Sequence, residues 1–469
     1  MSDERILIPF GYAFIGVMLL LIFVPYLRRR SDLATTWNMF LLGAINFVGM
    51  ASLKAAYSSH EFRILAYERR DYVLYILGAI TFFVTLTVAY YWIKFPRKLA
   101  GRLFRKWPPM SIEVLYAMIA LSLGMAIVAQ LPIRIPVASQ LIFHLGNKGI
   151  FIAVAMAFTA WFKAKDNPFL LGTLIGVLLI SALLAIMVGG GRRTLLGVGA
   201  TMPICAYWLW LRYKSPWTNL AIFGAAGVLG VLLLAAYSAV RHFDRRGEMK
   251  ERSAVNSWEA LTELPSRVFS SEVEPLLEGQ NATQTALAAI HLYTNQLSPE
   301  PFHATIFVAT NFIPRDIWEN KPQGLGFTLP KSTRTGTRAT WGPGIVGHGF
   351  HEGGLHMLVF YGVLAGIALR FLDEQLVRQS ENPYLLAMVS AMSGHIIGWT
   401  RGDIGTFTIQ IISCFIAIHV FAIAAKLAFG VGVIYPRTDG ANFVHQNLFR
   451  ATLTQASGML SMDKNTARR

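Results

Sequence analysis

The sequence predicts an all-α polytopic membrane protein with about 11 transmembrane helices and one large outer, periplasmic loop containing short helices. Three observations predict it. Only 14% of residues are charged and the mean hydropathy is +0.46, whereas soluble domains carry about 25% charged residues. Apolar runs long enough for a hydrocarbon core of about 30 Å recur from one end of the chain to the other. A single polar stretch, 241–343, interrupts them.

The runs fall near 6–27, 35–57, 72–94, 112–131, 143–162, 168–188, 194–213, 218–240, 354–372, 384–400 and 406–431. The first, Ile6 to Leu27, is too long for a signal-peptide core and lacks a small-residue cleavage site, so it reads as the first span. The fifth is the weakest, because His144, Asn147 and Lys148 interrupt its start. These runs divide the chain into an N-terminal bundle of about eight helices (1–240), the large loop (241–343), C-terminal membrane helices (344–435) and a polar tail (436–469).

The formal net charge of +16 would suggest nucleic acid in a soluble protein. Here much of the excess lies in short loops between spans, as the positive-inside bias predicts, and no nucleic-acid partner is expected. Arg28, Arg29 and Arg30 follow the first span. Arg97, Lys98, Arg102, Arg105 and Lys106 follow the third, Lys163 and Lys165 the fifth, and Arg212 and Lys214 the seventh. These loops alternate and read as cytoplasmic, which puts the N-terminus outside in the periplasm and the C-terminal tail inside the cytoplasm. The two cysteines, Cys205 and Cys414, lie in apolar runs, so no disulfide framework is expected.

The large loop escapes the charge rule by its length and is free to lie outside. It has apolar content of its own. Ala286, Ala289, Ile290 and Tyr293 form a helical stripe within Ala282 to Leu297, and 302–312 is apolar and aromatic. A loop of this kind is more often functional than a spacer, and its expected resting place is the outer mouth of the bundle.

Cations on the outer side are the first candidate group. Arg192 and Arg193 follow Gly189, Gly190 and Gly191 at the outer end of the sixth span, where paired guanidiniums suit phosphate oxygens or lipid headgroups. Arg315 and Lys321 lie in Ile313-Pro-Arg-Asp-Ile-Trp-Glu-Asn-Lys-Pro322, a segment stiffened by its prolines. Trp318 suits an interfacial anchor. Arg334 and Arg338 sit in a run without acids. Arg401 and Asp403 form a further pair at the outer mouth, where mutual pairing is expected.

Acid–base candidates cluster in Gly347-His-Gly-Phe-His-Glu-Gly-Gly-Leu-His356. On an unbroken helix His348, Glu352 and His356 would share one face. The spacing fails the zinc-protease motif, since His351 and His356 are five residues apart. A general base at the bilayer surface fits better: Glu352, His348 or His351. No phosphate loop or dinucleotide fingerprint is present.

The order of these features resembles the bacterial oligosaccharide repeat-unit (O-antigen) polymerases. The resemblance rests on the Pro314-Arg315, Trp318 and Lys321-Pro322 segment late in a large outer loop, and on the Gly-rich, Glu-bearing stretch that follows it to Phe360-Tyr-Gly362 and Gly366. Arg192-Arg193 and the spacing from Arg338 to Gly349 are similar to features of the same family. Glu352 departs from the pattern: it lies ten residues before Gly362, and no Asn precedes that glycine.

The resemblance implies a membrane glycosyltransferase of the C type in the bacterial inner membrane. Such an enzyme joins oligosaccharides carried on undecaprenyl pyrophosphate, on the periplasmic face. It implies inverting chemistry with no metal and no cofactor, with a flippase and a chain-length regulator as partners. On that reading Arg192, Arg193, Arg338, Arg315, Lys321 and Arg401 meet the pyrophosphate, Trp318 and Trp341 stack on sugar, and Glu352, His348 or His351 takes the acceptor proton. An O-antigen ligase of the same fold is the nearest alternative. A transporter for an anionic lipid-linked substrate is a more distant one, since it calls for ionisable groups at mid-membrane and two related halves.

Overall fold

The computed structural model describes residues 3–57, 65–103, 111–131, 138–187, 192–243, 281–315, 317–332 and 341–429. Helices make up all the regular structure among them. The N-terminal half comprises α1 (Leu7–Leu27), α2 (Thr36–Ala44), which continues through a π-helical turn (Ile45–Met50) into α3 (Ala51–Tyr57), and α4 (Arg69–Trp92). It continues with α5 (Phe95–Leu103), α6 (Ile112–Val128), α7 (Ala138–Lys163), α8 (Pro168–Met187), α9 (Arg192–Leu209) and α10 (Pro216–Phe243). The loop region holds α11 (Ala282–Asn295), α12 (His303–Thr310) and α13 (Leu325–Ser332). A short helix α14 (Gly344–Glu352) then leads to α15 (Leu355–Arg378), α16 (Pro383–Gly398) and α17 (Ile404–Phe429).

Each of the eleven apolar runs coincides with helix. Among the described residues seven stretches are long and apolar enough to cross a membrane: Asp3–Leu27, Thr36–Tyr57, Arg69–Trp92, Leu141–Lys163, Pro168–Ala185, Leu355–Arg378 and Ile404–Phe429. The physical cause is that a backbone without water must close its own hydrogen bonds, and a helix does so within one segment. Outward faces stay apolar, with Leu20, Leu179 and Leu427 well exposed, as lipid contact requires.

Helices α4 and α15 pack closely along their length. Gly362 and Gly366, four residues apart, face α4; a Cβ at Gly366 would lie 2.7 Å from the Leu86 carbonyl oxygen. Small residues at that spacing let two membrane helices approach at backbone distance. The glycines that contribute to the family resemblance therefore have a packing role here.

The two ends of the bundle differ in chemistry. At one end, Asp373 near the end of α15 caps the start of α2, accepting from the Thr36 and Trp37 backbone N–H groups at 2.6 and 3.2 Å and from the Thr36 and Tyr90 hydroxyls at 2.7 Å. Nearby, Arg212 pairs with Asp32 at 2.9 Å and Arg97 with Glu374 at 3.1 Å. Tyr26 donates to the Pro216 carbonyl, and the Lys165 ammonium lies over the Trp210 ring. The four basic loops identified from sequence thus gather at a single end. At the other end, about 28 Å from Tyr90 along α4, Asp71 receives His291 of α11 at 2.9 Å and Tyr75 meets Thr283 at 3.1 Å.

Helix α11 is buried along most of its length, with Ala282 to Ile290 all inside. It packs on α14 and on the start of α4. The amphipathic stripe of the sequence is therefore a minimum, since polar Thr283, Gln284 and Thr285 are covered as well. Thr285 donates to the Gly342 carbonyl at 2.6 Å, which ties the helix to the chain entering α14.

Candidate functional site

Helix α14 is set into the end of the bundle by its own termini. The first N–H groups of a helix have no internal partner; here those of Gly344 and Ile345 donate to the carbonyls of Arg401 and Thr400 at 2.9 and 3.3 Å. At the other end Gly353 and Gly354 have φ of +147° and +74°. These values suit glycine and break the helix. The break overturns one expectation: His348 and Glu352 share a face, but His356 starts a new helix and is exposed.

All nine residues of α14 are buried, including His348 (0% exposed), His351 (1%) and Glu352 (0%). Glu352 holds the centre. Its Oε1 accepts from His348 Nε2 at 2.7 Å and from the Ala304 backbone N–H at 2.7 Å, and its Oε2 accepts from the Tyr361 hydroxyl at 2.6 Å. Ala304 opens α12 and Tyr361 belongs to α15, so one carboxylate joins three helices. His348 Nδ1 lies 3.7 Å from Asp403 Oδ1. Burial opposes charge on this imidazole, but Asp403 and Glu352 outweigh it and raise the pKa of His348 above its ordinary value. The imidazole thus sits between two acidic side chains, hydrogen-bonded to Glu352 and facing Asp403.

Asp403 also organises its surroundings. It accepts from the Gly405 and Thr406 N–H groups at 2.8 and 3.2 Å, capping α17, and from Gly326 of α13 at 3.3 Å. Arg401 sets its guanidinium over the Phe47 ring at 5.6 Å.

His351 is in a different state. Neither ring nitrogen has a hydrogen-bond partner among the described residues. Its ring packs edge-on against Tyr293 and His303. Burial, with the nearby charges of His348 and His303, pushes its pKa down to about 2, so it is neutral at any ordinary pH.

The Ile313–Pro322 segment closes on itself. The Lys321 ammonium is buried and donates to the carbonyls of Asn311 and Ile313 at 3.0 and 2.7 Å. Arg315 donates to the carbonyls of Glu319, Lys321 and Pro322. Both cations thus have loop carbonyls as direct partners, and burial together with Arg315 lowers the Lys321 pKa. Trp318 is 39% exposed, whereas Trp341 is partly buried against the α11–α13 cluster. Arg192 and Arg193 open α9, with their side chains outside the described residues; Arg334 and Arg338 lie outside them altogether.

Sequence reasoning treated Lys148 only as an interruption of a span. It is 2% exposed within α7 and donates to Gln410 Oε1 at 2.6 Å, with His395 Nε2 at the same distance. No acidic side chain pairs with it among the described residues. Gln410 lies about two turns along α17 from Asp403. The available signal was the rule that an ionisable residue inside a span marks a functional site.

No family model, no curated protein and no solved structure matches this chain.

Proposed function

We propose that this protein is a polytopic glycosyltransferase that joins lipid-pyrophosphate-linked oligosaccharides into a surface polysaccharide on the outer face of a bacterial inner membrane. All eleven apolar helices cross the bilayer in this reading, with the basic-loop end in the cytoplasm and the α14 end outside. The observation that carries it is a carboxylate–imidazole network, Glu352–His348–Asp403, at the end of the bundle opposite the basic loops, with a buried cation, Lys148, held by Gln410 of α17, the helix that Asp403 caps.

The chemistry divides between those two groups. Departure of a lipid pyrophosphate develops negative charge, and a preorganised cation in a dry site stabilises it. Lys148 supplies that charge, Lys321 adds to the local field, and Arg192, Arg193, Arg338 and Arg401 complete the binding. The acceptor hydroxyl needs a base within hydrogen-bond reach. Glu352 fits: Oε1 is locked by two donors, and Oε2 carries a single hydroxyl, that of Tyr361, leaving a further acceptor position. His348 orients the carboxylate and balances its charge. Because Glu352 is fully buried, the acceptor reaches it only when α12, held through Ala304, moves aside.

A strain lacking the chain and complemented with Glu352→Gln or Lys148→Met tests this reading. It expects single repeat units to accumulate on the lipid carrier while the variant protein remains in the membrane. Normal long polymer from either variant refutes the assignment of that residue, and normal polymer in the strain without the chain refutes the function.

A second reading, a transporter for an anionic lipid-linked substrate, is favoured by Lys148 and His395 lying within the bundle instead of at its rim. Accumulation of repeat units on the cytoplasmic face in the deletion strain separates it from the first.

A further inference from the structure

Three side chains beside α14 are not used by that chemistry: Glu300, His303 and His351. Each offers one donor atom, and the three donor atoms lie within 4.8 Å of one another. Glu300 Oε2 is 2.8 Å from His303 Nδ1 and 3.7 Å from His351 Nε2. Around a tetrahedral ion with bonds of about 2.0 Å, neighbouring donors sit about 3.3 Å apart. The two separations from Glu300 bracket that value, and the two histidine donors lie within 4.8 Å of each other.

The hydrogen bonds define which lone pairs are available. His303 Nε2 meets the Gln323 carbonyl at 2.8 Å. A carbonyl only accepts, so Nε2 carries the hydrogen and the neutral ring presents Nδ1 as a bare lone pair. That lone pair faces a carboxylate oxygen, which is also an acceptor. Two acceptors at 2.8 Å need a cation between or beside them. A proton on Nδ1 would satisfy His303 and Glu300, but it would leave His351 buried with both nitrogens unpartnered. Buried polar atoms without partners are rare. A metal ion would partner His303 Nδ1, the Glu300 carboxylate and one of the two His351 nitrogens at once.

The backbone holds the three in place. The Glu300 N–H donates to the His351 carbonyl at 2.8 Å, and the His303 N–H to the Glu300 carbonyl at 3.3 Å. Between them Phe302 adopts φ of +60°, a left-handed conformation uncommon outside glycine. The Glu300 side chain is 57% exposed while His351 is 1% exposed, so the site has a buried floor and an open rim for ion entry.

We infer that Glu300, His303 and His351 form a divalent transition-metal site at the edge of the α14 mouth. Two imidazoles and one carboxylate are the donor set of three-ligand zinc sites that keep a coordination position open, and imidazole disfavours calcium and magnesium. The open position faces the rim and takes water or an anionic oxygen. The ion clamps the segment ahead of α12 onto α14 whatever reaction the mouth performs.

The test uses tag-free full-length protein in detergent, stripped of metal by a chelator and titrated with Zn²⁺ by calorimetry and with Co²⁺ by absorption spectroscopy. One saturable equivalent per chain is expected, with ligand-field bands for Co²⁺ and a Zn²⁺-dependent rise in melting temperature. Glu300→Gln changes an exposed side chain and is expected to fold as the wild type does without metal, yet to bind at least about 100-fold more weakly. His351→Ala is expected to lose binding to the same extent. Absence of saturable binding, or wild-type affinity in either variant, overturns the assignment.

Discussion

His348 donates from Nε2 to Glu352 Oε1 at 2.7 Å, and both side chains are fully buried. On its other side His348 faces Asp403 at 3.7 Å. The imidazole thereby ties α14 to the chain entering α17, and the stability of the mouth depends on its charge.

That dependence has a sign. The pKa of His348 is raised in the folded protein, so its contribution is fully present below the unfolded value of about 6.5 and is lost as pH rises through the folded value. The melting temperature of wild type relative to His348→Gln, measured across pH in detergent, should show its largest advantage on the acid side. The advantage should narrow as pH rises.

His351 works in the opposite sense. Its pKa is pushed down to about 2, so below about pH 6.5 the unfolded chain takes up a proton that the folded chain refuses. Stability from this residue is present above that pH and falls as the solution becomes more acid. His351→Phe, which cannot be protonated, should lose less stability than wild type between neutral pH and pH 5 in the same melting assay.

Asp373 accepts from two backbone N–H groups and two hydroxyls at the far end of the bundle. Asp373→Ala leaves those donors buried without a partner and should cost about 3 kcal/mol or more in unfolding experiments. Asp373→Asn, which keeps one acceptor oxygen, should cost less.

Gly366 has no room for a side chain against α4, where a Cβ would meet the Leu86 carbonyl oxygen and the Ala89 methyl at 2.7 Å. Gly366→Val should push α15 off α4 and destabilise by about 1–3 kcal/mol. Chemical unfolding followed by tryptophan fluorescence would register it.

Much of the fold was legible because membrane helices are written locally. A run of apolar residues of span length needs no distant partner to be helical, and among the described residues a helix occupies most of each of the eleven runs. The His348–Glu352 pair was legible for the same reason, being four residues apart on one helix. His356 was misplaced because two glycines with positive φ end that helix. Arg315 and Lys321 looked like anion contacts; that their direct partners are the carbonyls of their own loop depends on how the loop turns, which composition does not reveal. The contacts that define the mouth were out of reach. Asp403 meets His348, Lys148 meets Gln410 and His395, and Glu300 meets His351 only after distant segments converge.

This mouth is proposed to transfer sugar chains between lipid carriers. The most direct measurement is reconstitution of purified wild type and Glu352→Gln in liposomes with a lipid-pyrophosphate-linked repeat unit, with products resolved by size. The account predicts a ladder of multiples of the repeat from wild type and at least a 100-fold slower reaction from Glu352→Gln, the scale of a lost general base. An equal ladder from both proteins would contradict the role given to Glu352. No product longer than one repeat from well-folded wild type would contradict the account itself.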